Sequence, residues 1–267
     1  MSKAPEHLSV SVEGPPGGVD FVLLHGLTSV KRYVLMGSKL IQKAGMRVVS
    51  YDARGHGESD PAPTSSAYEY SDLVEDLNSV VELNQLSRPI GIGISMGAHT
   101  LLAAASEQPN LFGGLLLITP AFAPTVEMTS HAEQHWKDLA DGLRSGGAEG
   151  FLSAGAVDEV GEKWRDLAAR ATLQRMAQHL HPDAVADALE VVPWSRPFED
   201  WSQFSQLSCP TVVVGSRDEA DPGHPLAVAQ DWASQLPKAR FEVEAEGESP
   251  LAWRGASISK LALDLAN

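Results

Sequence analysis

The stretch "GIGISMGAHT" constrains the fold of this chain more than any other segment. It places Ser95 between Gly93 and Gly97 in the pattern G-x-S-x-G, after an apolar strand and before a helix, "MGAHTLLAAASEQ". Such a turn holds the serine in a strained backbone conformation, and only glycine avoids clashes on either side. It also presents the hydroxyl at a helix N-terminus, where amides and dipole favour developing negative charge. The pattern therefore predicts that Ser95 is a nucleophile.

Short apolar runs alternate with amphipathic helical patterns along most of the chain. This rhythm is typical of a mainly parallel sheet flanked by helices, and it predicts the α/β class. We expect one helix to begin near Ser71 as its N-cap. The apolar runs that predict strands are 19–26, 46–57, 88–97, 113–120, 210–218 and 239–247.

Residues 124–205 interrupt the alternation, because they contain amphipathic segments and no convincing strand. We therefore predict a core made of residues 1–123 and 206–267, with a helical cap or lid at 124–205. Such an insertion usually covers the rim where ligands bind beyond the carboxyl ends of the strands. Four tryptophans are candidates for an apolar lid or pocket, or for the core of the lid itself: Trp136, Trp164, Trp194 and Trp201.

Four motifs in order, "LLHGLTS", "YDARGHGES", "GISMGAHT" and "VVVGSRDEADP", span nearly the whole chain. With them the sequence resembles the α/β-hydrolase fold superfamily, especially its lid-bearing esterase, enol-lactonase and C–C hydrolase-like branch. The motifs are specific for the fold and less specific for a reaction. The resemblance implies an α/β-hydrolase fold, with a mostly parallel central sheet, flanking helices and a helical lid.

The resemblance also implies roles for single residues. Ser95 would be the nucleophile, and the backbone amides of Leu27 and Met96 would form the oxyanion hole. Asp218 stands at the G-x-x-D position where the family carries its triad acid, which orients the histidine. Asp221 is the alternative acid, although its Asp-Pro context is more typical of a turn.

Three histidines near these motifs are expected to be structural. His25 should shape the turn after the first motif, and His56 should hydrogen-bond the loop after its strand. His99, one helical turn beyond Ser95, should be a satisfied, partly buried histidine.

The general base is missing from its usual place. The family presents a histidine after the final strand, but here that strand leads into Glu248, and no histidine follows His224. Three hypotheses remain open. His224 is the base, brought in by its own loop; Glu248 is the base, beside an acid that raises its pKa; or no residue plays this role. If His224 has no catalytic role, we expect it to cap the following helix.

Composition narrows the partners. The net charge is −15, from 35 acidic and 20 basic residues, which disfavours nucleic acid and anionic membrane surfaces. The N-terminal residues lack the apolar region of a signal peptide, so we expect a cytoplasmic protein. The nine histidines show no metal-binding grouping and no phosphate loop is present, so we expect no metal or cofactor. The sequence carries no signal for an oligomeric state.

These observations favour a serine hydrolase acting on a small ester, lactone or thioester through a non-standard base. The alternative is a protein of the same fold that does not hydrolyse esters. It would be either a lyase, cyclase or isomerase, or an inert partner that binds a ligand.

Overall fold

A computed structural model of the chain describes residues 5–125, 129–217, 221–246, 248 and 253–266. Its centre is a seven-stranded sheet in which only the first strand is antiparallel to its neighbour. In spatial order the strands run β1, β3, β2, β4, β5, β6, β7. Their bounds along the chain are β1 (Val10–Glu13), β2 (Asp20–Leu24), β3 (Arg47–Tyr51), β4 (Ile90–Ile94), β5 (Gly114–Ile118), β6 (Thr211–Val214) and β7 (Ala239–Glu242).

Helices cover both faces of this sheet, which is why the central strands are apolar on both sides. All five residues of β2 and all five of β5 are buried. The helices are α1 (Leu40–Lys43), α2 (Tyr70–Leu83), α3 (Met96–Glu107), α4 (Ser130–Ser153), α5 (Glu162–Met176), α6 (Pro182–Val191), α7 (Leu226–Gln235) and α8 (Gly255–Leu265).

Two hydrophobic clusters form the core, one on each face. On one face, α2, α3 and α7 bury side chains such as Leu77, Leu101 and Trp232 against the sheet. On the other face, α1 and α8 contribute Ile41 and Ile258. The predicted α/β fold is confirmed, and each of the six predicted strands is present. The edge strand β1 was missed, because its four half-buried residues carry only a short alternating signal.

The segment between β5 and β6 is helical throughout its described regular structure. It contains α4, α5, α6 and a short 3₁₀ turn at Trp201–Phe204. Helix α4 bends at Gly147, whose φ of 58° is non-helical. Side chains from α4, α5 and α6 share a small core of their own that includes Leu139, Met176 and Leu189. The division into a core and a cap over 124–205 stays a prediction.

Helix α2 begins two residues earlier than predicted, and Ser71 is not its cap. The helix starts at Tyr70, and Glu69 occupies the N-cap position. The Asp72 carboxylate accepts a hydrogen bond of 2.9 Å from the Glu69 amide. A reciprocal pair of this kind satisfies amides at the start of a helix as well as a serine would.

No helix in the described ranges is long and apolar enough to cross a membrane.

Candidate active site

Ser95 occupies the sharp turn between β4 and α3. Its φ of 49° and ψ of −113° lie in a region that a residue with a Cβ rarely adopts. The turn is held on both sides, because the Ser95 amide donates to the Ile118 carbonyl and the His99 amide donates to the Ser95 carbonyl. Strain maintained by surrounding hydrogen bonds is common at functional sites.

Both flanking glycines are required by close packing. A Cβ on Gly93 would lie 2.5 Å from the carbonyl oxygen of Gly97, and one on Gly97 would lie 2.4 Å from that of Leu24. Neither neighbour can move without displacing backbone. The tight turn predicted from G-x-S-x-G is therefore present.

The loop after β2 lies directly beside this turn. A Cβ built on Gly26 would be 3.4 Å from the Cβ of Ser95. Within the described residues, neither the Leu27 amide nor the Met96 amide donates a hydrogen bond to the protein. Two unengaged N–H groups beside one serine are what an oxyanion hole needs, although their role as one stays a prediction.

His25 and His56 have structural contacts. The His25 Nδ1 donates to the Gly26 carbonyl at 2.8 Å, and its Nε2 accepts from the Ala53 amide at 2.9 Å. The Nδ1 of His56 donates to the Arg54 carbonyl at 3.0 Å. Burial lowers the pKa of each imidazole, so both are neutral at pH 7.

His99 is buried and satisfied on both sides of its ring. Its Nε2 accepts from the amides of Ala121 at 3.0 Å and Phe122 at 3.3 Å. Its Nδ1 therefore carries the proton, which it donates to the Tyr70 hydroxyl at 2.7 Å. Burial lowers the pKa of His99 to about 3, and the charge of nearby His224 acts in the same direction. With both nitrogens engaged, His99 is not free to serve as a base.

His224 is paired with a carboxylate. It lies between β6 and α7, and its Nδ1 is 2.7 Å from the Oδ1 of Asp221. When Nδ1–H donates to the carboxylate, Nε2 is left with the lone pair that a base requires. Helix α7 has Pro225 at its N-cap position and no side-chain cap, so the expectation that His224 caps this helix is wrong.

The carboxylate of Asp221 also interacts electrostatically with Arg175. Burial alone would raise the pKa of its carboxyl group. The hydrogen bond and charge of His224, together with the charge of Arg175, outweigh burial and hold that pKa below its usual value. Asp221 therefore stays ionised at neutral pH and can orient the imidazole. Asp218, the acid that the motif predicts, lies outside the described residues.

The Ser95 hydroxyl makes no hydrogen bond within the described part of the chain. The charge of His224 acts on His99, which lies one helical turn beyond Ser95, and no hydrogen bond joins His224 to the serine. Catalytic hydrogen bonds are often long in ligand-free sites and tighten when substrate binds.

Glu248 is exposed and its described contacts are local. Its carboxylate accepts from the Ala245 amide at 3.2 Å, and its own amide donates to the Ala245 carbonyl at 3.1 Å. These contacts close a turn and do not link Glu248 to Ser95 or to an acid.

The buried carboxylate after β7 is Glu244, which sequence reasoning missed. Its Oε1 accepts from the Ser216 hydroxyl at 3.0 Å and from the Arg217 amide, while its Oε2 accepts from the Trp253 indole at 2.9 Å. Glu244 thereby anchors the start of the loop that leads to Asp221. Sequence alternation in "VEAEGE" does not reveal which glutamate turns inward.

A further histidine, His179, joins the end of α5 to the loop after β2 and to the loop after β3. The Nδ1 of His179 accepts from the Gly57 amide at 2.9 Å, and its Nε2 donates to the Thr28 carbonyl at 3.0 Å. Burial lowers the pKa of His179 to about 4. His179 lies just beyond α5, so the end of that helix is fixed over the loop that carries Leu27.

The fold and the turn at Ser95 define a class that a family comparison identifies directly. The family model for the alpha/beta hydrolase fold matches residues 21–254. The chain belongs to the alpha/beta hydrolase fold family.

Relatives in this family have several activities. An sn-1-specific diacylglycerol lipase of Xenopus laevis is 28% identical over 70% of this chain and 62% of its own length. A Bacillus subtilis (strain 168) protein, provisionally named as a 2-succinyl-6-hydroxy-2,4-cyclohexadiene-1-carboxylate synthase, is 24% identical over 88% of this chain and 85% of its own. The chain thus spans under two thirds of the frog lipase.

Solved structures support the fold alone. An enol-lactonase from Burkholderia xenovorans LB400 has a TM-score of 0.73 at 18% identity, with 97% of this chain and 95% of that chain covered. A thermophilic esterase from Thermogutta terrifontis has a TM-score of 0.75 at 20% identity, covering 97% and 94%. The expected likeness to lid-bearing esterases and enol-lactonases is confirmed at the level of the fold.

Proposed function

We propose that this protein is a serine hydrolase of small carboxylic esters, lactones or thioesters. Ser95 is its nucleophile, His224 its general base and Asp221 the acid that orients the base. The observation that carries the proposal is the 2.7 Å contact between His224 Nδ1 and Asp221 Oδ1. It supplies an oriented imidazole near the strained serine, although the usual position after β7 holds no histidine.

Sheet geometry supports the assignment. Ser95 follows β4 and His224 follows β6, with β5 between these parallel strands. Strands two apart are separated by roughly 10 Å, a distance that two side chains and a loop can bridge. The carboxyl ends of parallel strands meet at one edge of the sheet, where ligands of open α/β folds bind.

The proposed reaction proceeds through an acyl-enzyme. The Ser95 oxygen attacks the substrate carbonyl carbon while its proton passes to His224 Nε2, and the carbonyl oxygen becomes an anion. The amides of Leu27 and Met96 donate to that anion. The tetrahedral intermediate collapses, the carbon–oxygen or carbon–sulfur bond breaks, and His224 returns the proton to the leaving group. Water, deprotonated by the same imidazole, then releases the acid and regenerates Ser95.

Hydrolysis of 4-nitrophenyl butyrate by purified variants tests the proposal. Ser95→Ala and His224→Ala should each lower kcat/KM by about 10⁴-fold or more, since either change removes the activated nucleophile. Glu248→Gln, the matched control, should stay within about twofold of the unmodified protein. Loss of activity in Glu248→Gln with full activity in His224→Ala would instead make Glu248 the base.

A non-hydrolytic reaction in the same pocket is the second candidate. The likeness to the provisionally named synthase favours it, and so does the unpartnered Ser95 hydroxyl. The two candidates differ in the fate of the serine, because only the hydrolase forms an acyl-enzyme. Mass spectrometry of the protein quenched after mixing with 4-nitrophenyl butyrate should show an added acyl group on the peptide that contains Ser95, and a protein that shows neither this adduct nor release of 4-nitrophenol would favour the second candidate.

A further inference from the structure

Arg175 is a partly buried cation with no anion bonded to it among the described residues. It lies in the last turn of α5, and its Nε is sealed from solvent with no hydrogen-bond partner. No described carboxylate forms an ion pair with it. Burial lowers the pKa of its guanidinium, and the charges of Asp221 and Tyr33 only partly oppose that effect. Burying this Nε–H without an acceptor is costly, because the hydration lost at that nitrogen is not replaced.

Two other arginines with little exposed surface are bound to carboxylates. Arg54 binds Asp76 through two nitrogens, at 2.8 and 2.9 Å. Arg47 binds Asp20 in the same bidentate way, at 2.7 and 2.8 Å. Arg175, which is also partly buried, has no equivalent partner among the described residues. A guanidinium presents a planar fork of donors suited to a carboxylate. An anionic group on a ligand would therefore supply the hydrogen-bond acceptor that Arg175 lacks.

The fold places the end of α5, which carries Arg175, at the carboxyl edge of the sheet. His179, four residues further on, binds the Thr28 carbonyl in the oxyanion loop after β2. On the other side, the charge of Arg175 acts on Asp221, in the segment after β6. Strands β4 and β5 lie between β2 and β6 in the sheet, and β4 ends at Ile94, directly before Ser95. The end of α5 therefore lies at the carboxyl edge of the sheet, between the loop after β2 and the segment after β6.

Asp221 does not neutralise this cation by direct contact. Its carboxylate is hydrogen-bonded to His224 at 2.7 Å, and its interaction with Arg175 is at longer range. Arg175 also keeps part of its surface exposed to solvent, so a ligand can reach it. The net charge of −15 repels anions at long range. A fixed cation inside the site would overcome that repulsion locally.

We infer that Arg175 is a binding residue for a carboxylate on the substrate, so that the preferred substrates are esters, lactones or thioesters that carry a second, ionised carboxyl group. This inference rests on the proposed function for the identity of the scissile bond. The anion site itself stands on the unpartnered guanidinium and its position.

A pair of substrates of equal shape tests the inference. Mono-4-nitrophenyl glutarate carries a terminal carboxylate, and 4-nitrophenyl 5-methylhexanoate carries an uncharged branched group of similar size in its place. The measured quantity is the ratio of their kcat/KM values. Arg175→Met should lower this ratio by about 10- to 100-fold, because a charged hydrogen-bonding partner is lost. Arg175→Lys should recover part of it.

The matched control is Arg170→Met, which removes an exposed arginine from the same helix. It should leave the ratio within twofold, since a solvated surface charge is screened. An unchanged ratio in Arg175→Met would overturn the inference, and so would an equal drop in Arg170→Met.

Binding of glutarate, measured by calorimetry, separates failure of this inference from failure of the proposed function. If the protein hydrolyses neither ester, the proposed function fails, and glutarate alone decides the anion site. Affinity that falls at least tenfold in Arg175→Met but not in Arg170→Met supports the site. Equal affinity in the two variants, or no binding to the unmodified protein, overturns it.

Discussion

At the scale of single residues, the proposed site combines a strained serine with groups that could support its chemistry. Ser95 is strained, two free amides lie beside it, and an imidazole with an oriented tautomer stands nearby. No hydrogen bond joins the imidazole to the serine in the described part of the chain, and the proposed mechanism requires this contact to form when substrate binds.

The two candidate acids, Asp221 and Asp218, can be distinguished by the effects of their substitution on activity. Asp221 contacts the imidazole, so Asp221→Asn should lower kcat/KM for a neutral ester by about 10²- to 10⁴-fold, because the imidazole loses its oriented tautomer. Asp218→Asn is the paired variant, since it stands at the position that the family motif favours. Steady-state kinetics of both variants assign the acid. A larger loss in Asp218→Asn than in Asp221→Asn would contradict the assignment to Asp221.

The sequence identifies some of these residues and not others, for physical reasons. Ser95 can be identified from the sequence because its turn requires glycine at fixed positions on either side. His224 could be only one of three hypotheses, because the position of a loop depends on contacts such as Glu244 with Trp253. Arg175 fits the amphipathic pattern of its helix, so the sequence does not distinguish it from a surface arginine. Only the folded structure shows that its Nε is buried without a hydrogen-bond partner.

At the scale of elements, the close contact of α3 with β2 and β4 determines the geometry of the site. Gly97 touches the Leu24 backbone, and Gly93 touches the start of α3. These contacts let the helix begin directly above the strand ends. Without them, the amide of Met96 and the hydroxyl of Ser95 would be displaced relative to the loop after β2.

Gly97→Ala tests this packing. Its Cβ would lie 2.4 Å from the Leu24 carbonyl oxygen, so the backbone must shift, and we expect the free energy of unfolding to fall by about 1–3 kcal/mol. Gly146→Ala is the control, because that glycine lies in α4 with open space around its Cβ position. In urea denaturation the control should be neutral or up to about 1 kcal/mol more stable. Equal stability of the two variants would refute the packing argument.

The buried strands were predicted more reliably than the edge strand and the N-caps of helices. Each of the six runs identified from apolarity forms a strand, because burial on both faces leaves a continuous apolar signal. Strand β1 is half-buried and short, so its signal is weak. The start of α2 was misplaced because a capping pair of Glu69 and Asp72 replaces the expected serine.

At the scale of the whole molecule, four buried neutral histidines link stability to pH. Burial lowers the pKa of each: His99 to about 3, His179 to about 4, and His25 and His56 below their usual value. In the unfolded chain a histidine titrates near about 6.5. The unfolded state therefore binds more protons than the folded state below that pH. The stability contributed by these neutral histidines is fully present above about pH 6.5, and it is lost as the pH falls toward 4.

Urea denaturation between pH 4 and pH 7 measures this linkage. Each such histidine contributes a slope of up to about 1.4 kcal/mol per pH unit over its window. His179→Gln keeps both hydrogen-bonding functions of the side chain but does not titrate. The slope of the free energy of unfolding against pH should therefore fall by the contribution of about one proton. An identical slope in His179→Gln, or a flat profile in the unmodified protein, would contradict the assignment of a lowered pKa to His179.

The central claim is that His224 activates Ser95, and the rate of labelling by a fluorophosphonate tests it most directly. The unmodified protein should gain one phosphonyl group, located on the Ser95 peptide by mass spectrometry. Its second-order labelling rate should fall by about 10³-fold or more in His224→Ala and remain within about twofold in Glu248→Gln. No labelling of the unmodified protein between pH 5 and pH 9, or equally rapid labelling of His224→Ala, would contradict the claim.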